Sequence, residues 1–364
     1  MGGKRCCGCG KREGLRSLKL LLCRRTSDDI WMHPDAKPFL SISRWLFEAD
    51  PHDIPRVVIL ENSDGIWKKS AGSMSSPLDF VMKGELFDHE LGHSVTYGLA
   101  LNPRYLTHVF QLSSTNVGLP HKRGRIFLVM IKKGALAPNV FKQIQENLGT
   151  ISASFQVECV GNFMGLPPNE VVEEPPPKKK PRAYSLEKVI GMSFVQRRSL
   201  GLPPASLYGT ESRPFSTQAR VEQLQKFTNR EKEIADISIL RAMKENCGIL
   251  PPWMVIDVSQ STNRHSFKSG GFHMGTFTTS SHFLVIPGRD IAAAHELSPQ
   301  ESFQLQGWPM EHLVIPPELN KTDLRTLVGN MISVPAIGAV LASVLAAVNF
   351  RPSQDLRPKR PAAP

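Results

Sequence analysis

The apolar residues of this chain fall into short runs, which predict buried strands, and into wider stripes, which predict helices. Residues 57–60 form one such run. Pro55 and Gly65 bound it, and its length and composition predict a strand buried on both faces, as in a parallel sheet. Residues 126–131 predict a second strand, and a third is expected near 106–112.

Helical spacing of apolar positions predicts the remaining major elements. The stretches with this spacing are 38–49, 77–92, 228–246, 299–305 and the part of 326–349 that follows Pro335. Thr228 and Glu231 form a capping box at the start of the third stretch. Because strands and helices alternate over the first 132 residues, the pattern predicts an α/β fold.

Composition and charge bear on the kind of partner that the protein can bind. The chain has 364 residues, 41% of them hydrophobic, and Lys and Arg exceed Asp and Glu by 44 − 33 = 11. Residues 1–25 carry eight positive residues against Glu13 alone, so this tail supplies +7 of the excess and is expected to be a solvated arm. The mildly basic remainder suits a polyanion partner without requiring one.

The sequence predicts neither a membrane span, nor a disulfide framework, nor a metal site. No apolar run approaches the roughly 20 residues of a membrane span, so no membrane partner is expected. The six cysteines should be reduced thiols because the chain shows no secretory signal, and their spacing predicts no metal site.

Polar residues that could carry chemistry stand in four stretches. Glu61 and Asn62 directly follow the first predicted strand, at the end where α/β sheets bind ligands. The other three stretches read Pro-His-Lys-Arg-Gly-Arg at 120–125, Leu-Ser-Pro-Gln-Glu with Leu-Gln-Gly-Trp-Pro at 297–309, and Gly-Asn at 329–330 with a proline five residues later.

In this order the four stretches resemble the motifs in the carboxyl-terminal half of the cytosine carbon-5 DNA methyltransferases. The resemblance spans about residues 38–350, with little support between 133 and 250. It implies an incomplete Rossmann-like methyltransferase sheet with an inserted, smaller target-recognition domain. It also implies methyl transfer from S-adenosylmethionine to cytosine in duplex DNA. A nuclear location is expected, with the basic cluster described below as its signal.

The resemblance assigns roles to particular residues. Glu61 is expected to protonate or hydrogen-bond the cytosine ring nitrogen, and Asn62 to hold the turn. Arg123 and Arg125 are expected to contact the base carbonyl and nearby phosphates. The amino-acid end of S-adenosylmethionine is expected at two residues, Gly329 and Asn330.

DNA contacts are expected beside the arginine segment and in the target-recognition region. The candidate residues are Lys122, Arg264, Lys268, Thr278, Thr279 and Ser280. Within this region, residues 170–182 predict a disordered loop. Its Lys-Lys-Lys-Pro-Arg cluster at 178–182 fits a nuclear import signal and a solvated charge run equally well.

The expected organisation has five parts. They are a basic Cys-rich tail (1–36), a partial catalytic domain (37–132), the target-recognition region (133–289), a return to the catalytic domain (290–350) and a basic tail (351–364).

The family's Pro-Cys nucleophile occurs nowhere in the chain, and its Gly-rich loop is not recognisable. Smaller departures are Ser63 in place of Val and His121 in place of Gln. Three explanations remain open: a fragment, an enzyme completed by a second polypeptide, or a non-catalytic relative. The lone chain is expected to be inactive or weak. The alternatives in function are a regulatory DNA-binding protein and a relative that methylates tRNA.

Overall fold

The described part of the chain folds into helices and small sheets. The computed structural model describes residues 37–67, 76–83, 85–88, 93–96, 98–135, 139–164, 184–201, 213–261 and 274–348. Their mixture of helices and strands confirms the predicted α/β class. The chain divides into two compact units, Met1–Phe110 with Ile126–Ala135 (unit 1), and Gln111–Arg125 with Leu136–Pro364 (unit 2).

Unit 1 contains the elements near the start of the described chain and most of the two strands that follow them. They are α1 (Lys37–Glu48), β1 (Val57–Ser63), α2 (Pro77–Lys83), β2 (Glu85–Asp88), β3 (His93–Thr96), β4 (Tyr105–Ser113) and β5 (Gly124–Lys132). The described strands form a sheet in the order β1-β5-β4 and a separate β2-β3 pair. Residues 125–131 of the central strand β5 are all buried.

The burial expected for β1 is wrong. Val57, Val58, Ile59 and Leu60 are only half-buried, because β1 stands at the edge of the described sheet while β5 occupies its centre. An apolar run of this kind also suits an edge strand with one covered face.

The long helix predicted for 77–92 is also wrong. α2 ends at Lys83, before Gly84, and two strands follow, with Glu85 paired to Thr96 and Asp88 paired to His93 in an antiparallel register.

Unit 2 contains the rest of the described elements. They are α3 (Val140–Ser154), α4 (Leu186–Ser199), α5 (Pro214–Gln218), α6 (Val221–Lys226), α7 (Asn229–Glu245), β6 (Trp253–Asp257), β7 (Phe283–Pro287), β8 (His295–Glu296), α8 (Pro299–Leu305), α9 (Lys321–Asn330) and α10 (Val334–Ala347). β7 pairs antiparallel with both β6 and β8.

The core of unit 2 forms around α7. Its predicted capping box is confirmed, since the Thr228 side chain accepts from the Glu231 backbone and Glu231 Oε2 accepts from the Thr228 N–H at 2.8 Å. Ile234 and Ile239 are buried in one cluster with residues of β6 and β7 such as Ile256. Burial of this stripe anchors the helix to the sheet.

The same helix carries buried charge. Glu233 and Arg197 of α4 form a two-pronged ion pair with N···O distances of 2.5 and 2.6 Å, and both are almost fully buried. Asp236 accepts hydrogen bonds from the backbone and hydroxyl of Ser216 at 3.1 and 2.6 Å, and burial raises the pKa of its carboxyl to about 6. These charges tie α4 and α5 to α7.

The apolar stretch near the end of the chain is longer than expected. Residues Lys321–Ala347 are long and apolar enough, by length and composition alone, to cross a membrane. They form two helices rather than one, however, and α10 has 14 residues, a length of about 21 Å against the roughly 30 Å of a bilayer core. α10 packs one face against α3 and buries residues such as Val340 and Val344.

Several sequence predictions lie outside the described residues. They concern Arg264, Lys268, the loop at 170–182 with its basic cluster, and both tails, 1–36 and 351–364.

Candidate active site

The Glu61–Asn62 pair lies within β1, just before its last residue Ser63, and its two side chains differ in burial. Glu61 is half-buried, with its Oε1 atom fully buried. Asn62 is 4% exposed, and its Oδ1 accepts a hydrogen bond from the Ser63 backbone at 2.7 Å. Its Nδ2 is buried and has no hydrogen-bond partner in the part of the chain that the structure describes. A buried amide donor of this kind carries a desolvation cost that a bound acceptor would remove.

The arginine segment 120–125 runs through the interior of unit 2. Met274 donates its backbone N–H to Pro120 O at 2.8 Å and accepts from the Lys122 N–H at 3.4 Å. This pairing is extended, so successive side chains point to opposite sides. His121 and Arg123 are fully buried, whereas Lys122 is exposed as a DNA contact would need to be.

The Arg123 guanidinium is bound to backbone carbonyls. Nη1 donates to Phe277 O at 3.0 Å, and Nη2 donates to Gly329 O at 3.0 Å and to Met331 O at 2.7 Å. A planar guanidinium can hold several acceptors in a fixed geometry. Arg123 therefore links the predicted recognition region to the Gly-Asn stretch.

Arg125 stands at the start of β5 and is 5% exposed. Its Nη1 donates to Gly124 O at 2.9 Å. Its predicted role at the base carbonyl is not tested by these contacts and stays a prediction.

Gly329 lies in close contact with the backbone of the recognition region. A Cβ added there would lie 2.3 Å from Thr279 N and 2.4 Å from the Thr278 carbonyl carbon, distances that real Cβ atoms do not show. Glycine is therefore required at this position by packing. Asn330, the last residue of α9, is half-buried.

Thr278, Thr279 and Ser280 belong to a short exposed turn. The Thr278 N–H donates to Ser281 Oγ at 2.9 Å, and the Ser281 N–H donates to Thr278 O at 3.2 Å. These three residues are exposed to solvent, and their contacts to DNA stay a prediction.

The stretch 297–309 supports the Gly-Asn stretch from a second direction. Gln306 is fully buried, and its Nε2 donates to Val328 O at 3.0 Å while its backbone carbonyl accepts from the Val334 N–H at 3.1 Å. Gly307 has φ 78°, a left-handed conformation, and an added Cβ would lie 2.4 Å from Pro335 Cδ. Gly307 and Pro335 therefore pack together at one junction between these stretches.

The buried histidine departs from the family pattern and has an unusual environment. Neither ring nitrogen of His121 has a hydrogen-bond partner among the described residues, and its ring meets the edge of Phe277 with centroids 5.4 Å apart. Burial and the charges of Arg123 and Arg125 lower the pKa of His121 to about 3. The imidazole is therefore neutral at physiological pH.

A second histidine is held by a carboxylate. His295 Nε2 lies 3.0 Å from Glu301 Oε1, and this hydrogen bond raises the pKa of His295. Glu301 also closes the capping box of α8 by accepting from the Ser298 N–H at 2.8 Å. Burial pushes the pKa of Glu301 up, but its bonds to His295 and Ser298 outweigh that effect and hold the pKa below its usual value.

Sequence reasoning left several of these residues without a role. Phe277 and Met331 bind Arg123 through their backbone carbonyls, which no side-chain pattern reveals. Gln306 and His121 stand inside recognised stretches, so their positions were visible although their burial was not. No group of three residues that could hold a metal ion occurs within the described ranges.

Comparisons with known proteins agree with the motif order. The family model for C-5 cytosine-specific DNA methylase matches residues 33–346. No curated protein matches the sequence.

Among solved structures, the chain is similar to the Entamoeba histolytica methyltransferase EhMeth, with 12% identity over 87% of this chain and 70% of that chain and a TM-score of 0.36. It is similar to S. pombe Dnmt2, with 12% identity over 87% and 75% and a TM-score of 0.37. It is also similar to a Spodoptera frugiperda DNMT2 triple mutant, with 11% identity over 86% and 73% and a TM-score of 0.34.

Proposed function

This chain belongs to the C-5 cytosine-specific DNA methylase family, and from that premise we propose that it binds cytosine in duplex DNA, with S-adenosylmethionine as the methyl donor. The observation that carries the proposal is the meeting of the family-like stretches in unit 2. Arg123 bonds to carbonyls of the Gly-Asn stretch, and Gln306 bonds to the carbonyl just before it. Stretches that resembled the family only by chance would not be expected to form hydrogen bonds with one another.

The chemistry of the reaction gives Glu61 its role. Cytosine carbon 5 becomes nucleophilic only after a thiolate adds to carbon 6, which places negative charge on the ring. A carboxyl group that protonates or hydrogen-bonds the ring nitrogen stabilises that charge. Glu61 is proposed as this group, and its partial burial supports the assignment because a carboxyl away from bulk water interacts more strongly with the base.

Arg125 is proposed to contact the carbonyl oxygen of the base. The two Nη atoms of Arg123 bind three backbone carbonyls, which gives this arginine a structural load that the printed bond of Arg125 to its own neighbour does not. We therefore separate the two arginines, with Arg125 toward the substrate and Arg123 in the support of the site.

Asn330 is the side chain proposed to contact S-adenosylmethionine. The space beside Gly329 is filled by the backbone of Thr278 and Thr279, and the Gly329 carbonyl is bound to Arg123. The half-buried Asn330 side chain is proposed to hold the amino-acid end of the donor. When bound, S-adenosylmethionine supplies the methyl group.

A nucleophilic cysteine in a Pro-Cys context is absent from the 364 residues. We therefore propose that this chain alone binds its substrates with little or no methyl transfer, and that a second polypeptide supplies the thiolate. A tritiated methyl-transfer assay on duplex DNA and on tRNA addresses this point. Robust turnover by the purified chain on either substrate would show that it needs no such partner, and turnover on tRNA alone would favour the tRNA-methylating alternative.

Binding tests the role of Glu61 without requiring turnover. A base that acts in the pocket must leave the duplex, and removing its pairing partner lowers that cost by a few kcal/mol. We expect the chain to bind a duplex with one cytosine opposite an abasic site about tenfold more tightly than the same duplex with guanine there. Glu61→Gln should reduce this preference, as measured by fluorescence anisotropy.

The matched control is Glu146→Gln, which changes an exposed carboxylate on α3 and should keep the preference. Equal affinity of the wild-type chain for both duplexes would instead favour the alternative of a regulatory DNA-binding protein.

A further inference from the structure

We propose that Arg123 is a positioning residue that couples the recognition turn, defined as residues 277–281, to the α9 end, defined as residues 328–331. Through this link, occupancy of one of these two places changes the affinity of the other. The proposal rests on the proposed function for the identity of the two ligands, duplex DNA and the methyl donor, but the link itself is defined by protein contacts.

The contacts of Arg123 join segments that are distant in sequence. Its acceptors lie 154, 206 and 208 residues further along the chain. One guanidinium therefore holds Phe277 in the recognition turn and both Gly329 and Met331 at the α9 end. Because Arg123 is fully buried, water cannot readily replace it, and a loss of the group leaves three carbonyls poorly satisfied.

Direct packing prevents the two segments from moving independently. The space that a Gly329 side chain would need is occupied by Thr278 and Thr279. A shift of the recognition turn, such as a DNA contact at its exposed hydroxyls would cause, must therefore displace the α9 end or break the bonds to Arg123. Packed interfaces of this kind change between discrete arrangements rather than deform continuously.

Gln306 restrains the α9 end through hydrogen bonds on both of its sides. Its side chain holds Val328 O and its backbone carbonyl holds the Val334 N–H, so both sides of the break between α9 and α10 are fixed. Asn330 lies between these anchors. A displacement at the α9 end would therefore move the Asn330 side chain, which is the proposed contact to the donor.

The first test uses hydrogen exchange of the unliganded full chain. Arg123→Lys keeps the charge but cannot span three carbonyls. We expect amide exchange to rise about tenfold in both the recognition turn and the α9 end, since both lose one shared support. Arg197→Lys is the matched control, because Arg197 is equally buried but bound to Glu233 on α7. It should loosen α4 and α7 without a joint change in the two segments.

The second test measures coupling between ligands. The affinity for a 30-base-pair duplex is measured with and without saturating S-adenosylhomocysteine. We expect a change of about fivefold or more in the wild-type chain and a ratio near one in Arg123→Lys, whatever the change in each single affinity. A merely structural role would weaken both affinities and leave their ratio unchanged.

The outcomes separate the two proposals. If both ligands bind the wild-type chain independently, or if exchange rises in only one segment of Arg123→Lys, the coupling is refuted while the proposed function stands. If neither ligand binds, the proposed function fails, and the exchange measurement still decides whether Arg123 links the two segments.

Discussion

At the scale of single residues, the segment 120–125 places the side chains of His121, Arg123 and Arg125 inside the protein and leaves Lys122 exposed. Arg123 meets its burial cost through three carbonyl acceptors, whereas His121 lacks a hydrogen-bond partner among the described residues and stays neutral. A buried neutral imidazole is stable only while protonation is avoided, because charging it beside two arginines in the interior is costly. We therefore expect the free energy of unfolding to fall as the pH is lowered.

The first prediction concerns His121→Gln. The folded state keeps a His121 pKa of about 3, whereas the unfolded chain has the ordinary value of 6.5. Between these values the unfolded state binds a proton that the folded state does not, so the free energy of unfolding falls as the pH falls from 6.5 toward 3, by about 1.4 kcal/mol per pH unit. Glutamine does not titrate and should remove this contribution.

Urea unfolding at pH 7.5 and pH 5 measures the effect. The variant should lose less stability than the wild type between these two values, by about 2 kcal/mol. Parallel pH profiles of the two proteins would mean that His121 is protonated in the folded state or is not buried.

At the scale of elements, the capped helices follow local sequence signals closely. α7 and α8 both begin with capping boxes, formed by Thr228 with Glu231 and by Ser298 with Glu301. In both helices the acidic residue also binds a histidine of the neighbouring sheet strand or loop, His282 at 2.9 Å and His295 at 3.0 Å. The caps therefore stabilise the helix start and fix it to its surroundings.

The second prediction concerns the start of α7. Thr228→Ala removes the oxygen that accepts the Glu231 N–H and should lower the free energy of unfolding by about 1 kcal/mol, the usual cost of losing such a cap. Thr228→Ser keeps the hydroxyl and should retain most of the stability. Thermal unfolding of the three proteins gives the comparison, and equal losses in both variants would assign the effect to the methyl group instead.

At the scale of the whole molecule, the excess positive charge is uneven. Residues 1–25 supply +7 of the formal +11. Each cation that neutralises a phosphate releases a counterion from DNA, so the salt dependence of binding counts the contacts. The basic tail and the exposed Lys122 can therefore be distinguished by how much each contributes to that dependence.

The third prediction compares the full chain with residues 26–364. If the tail binds phosphates, its removal should reduce the slope of log affinity against log salt by several units, up to about six, over 50–200 mM salt. Lys122→Gln in the full chain should reduce the slope by about one. An unchanged slope after removal of the tail would place the phosphate contacts elsewhere in the protein.

The sequence alone was enough to predict those features that depend on residues close together along the chain. The buried strand β5, the capped helices α7 and α8 and the turn at Gly307 were all predictable, because periodicity, caps and backbone conformation act over a few residues. The order of the four motifs was also visible, because it can be read directly along the chain. The family match over residues 33–346 confirms what that order indicated.

Only the tertiary structure decided what distant segments do together. The edge position of β1 depends on which strands pair with it, and the need for glycine at 329 depends on Thr278 and Thr279. The Nη atoms of Arg123 bind carbonyls more than 150 residues further along the chain, and its substrate contact stays a prediction. Backbone carbonyls leave no trace in the sequence, so no pattern of side chains could have shown this arginine holding two distant segments together.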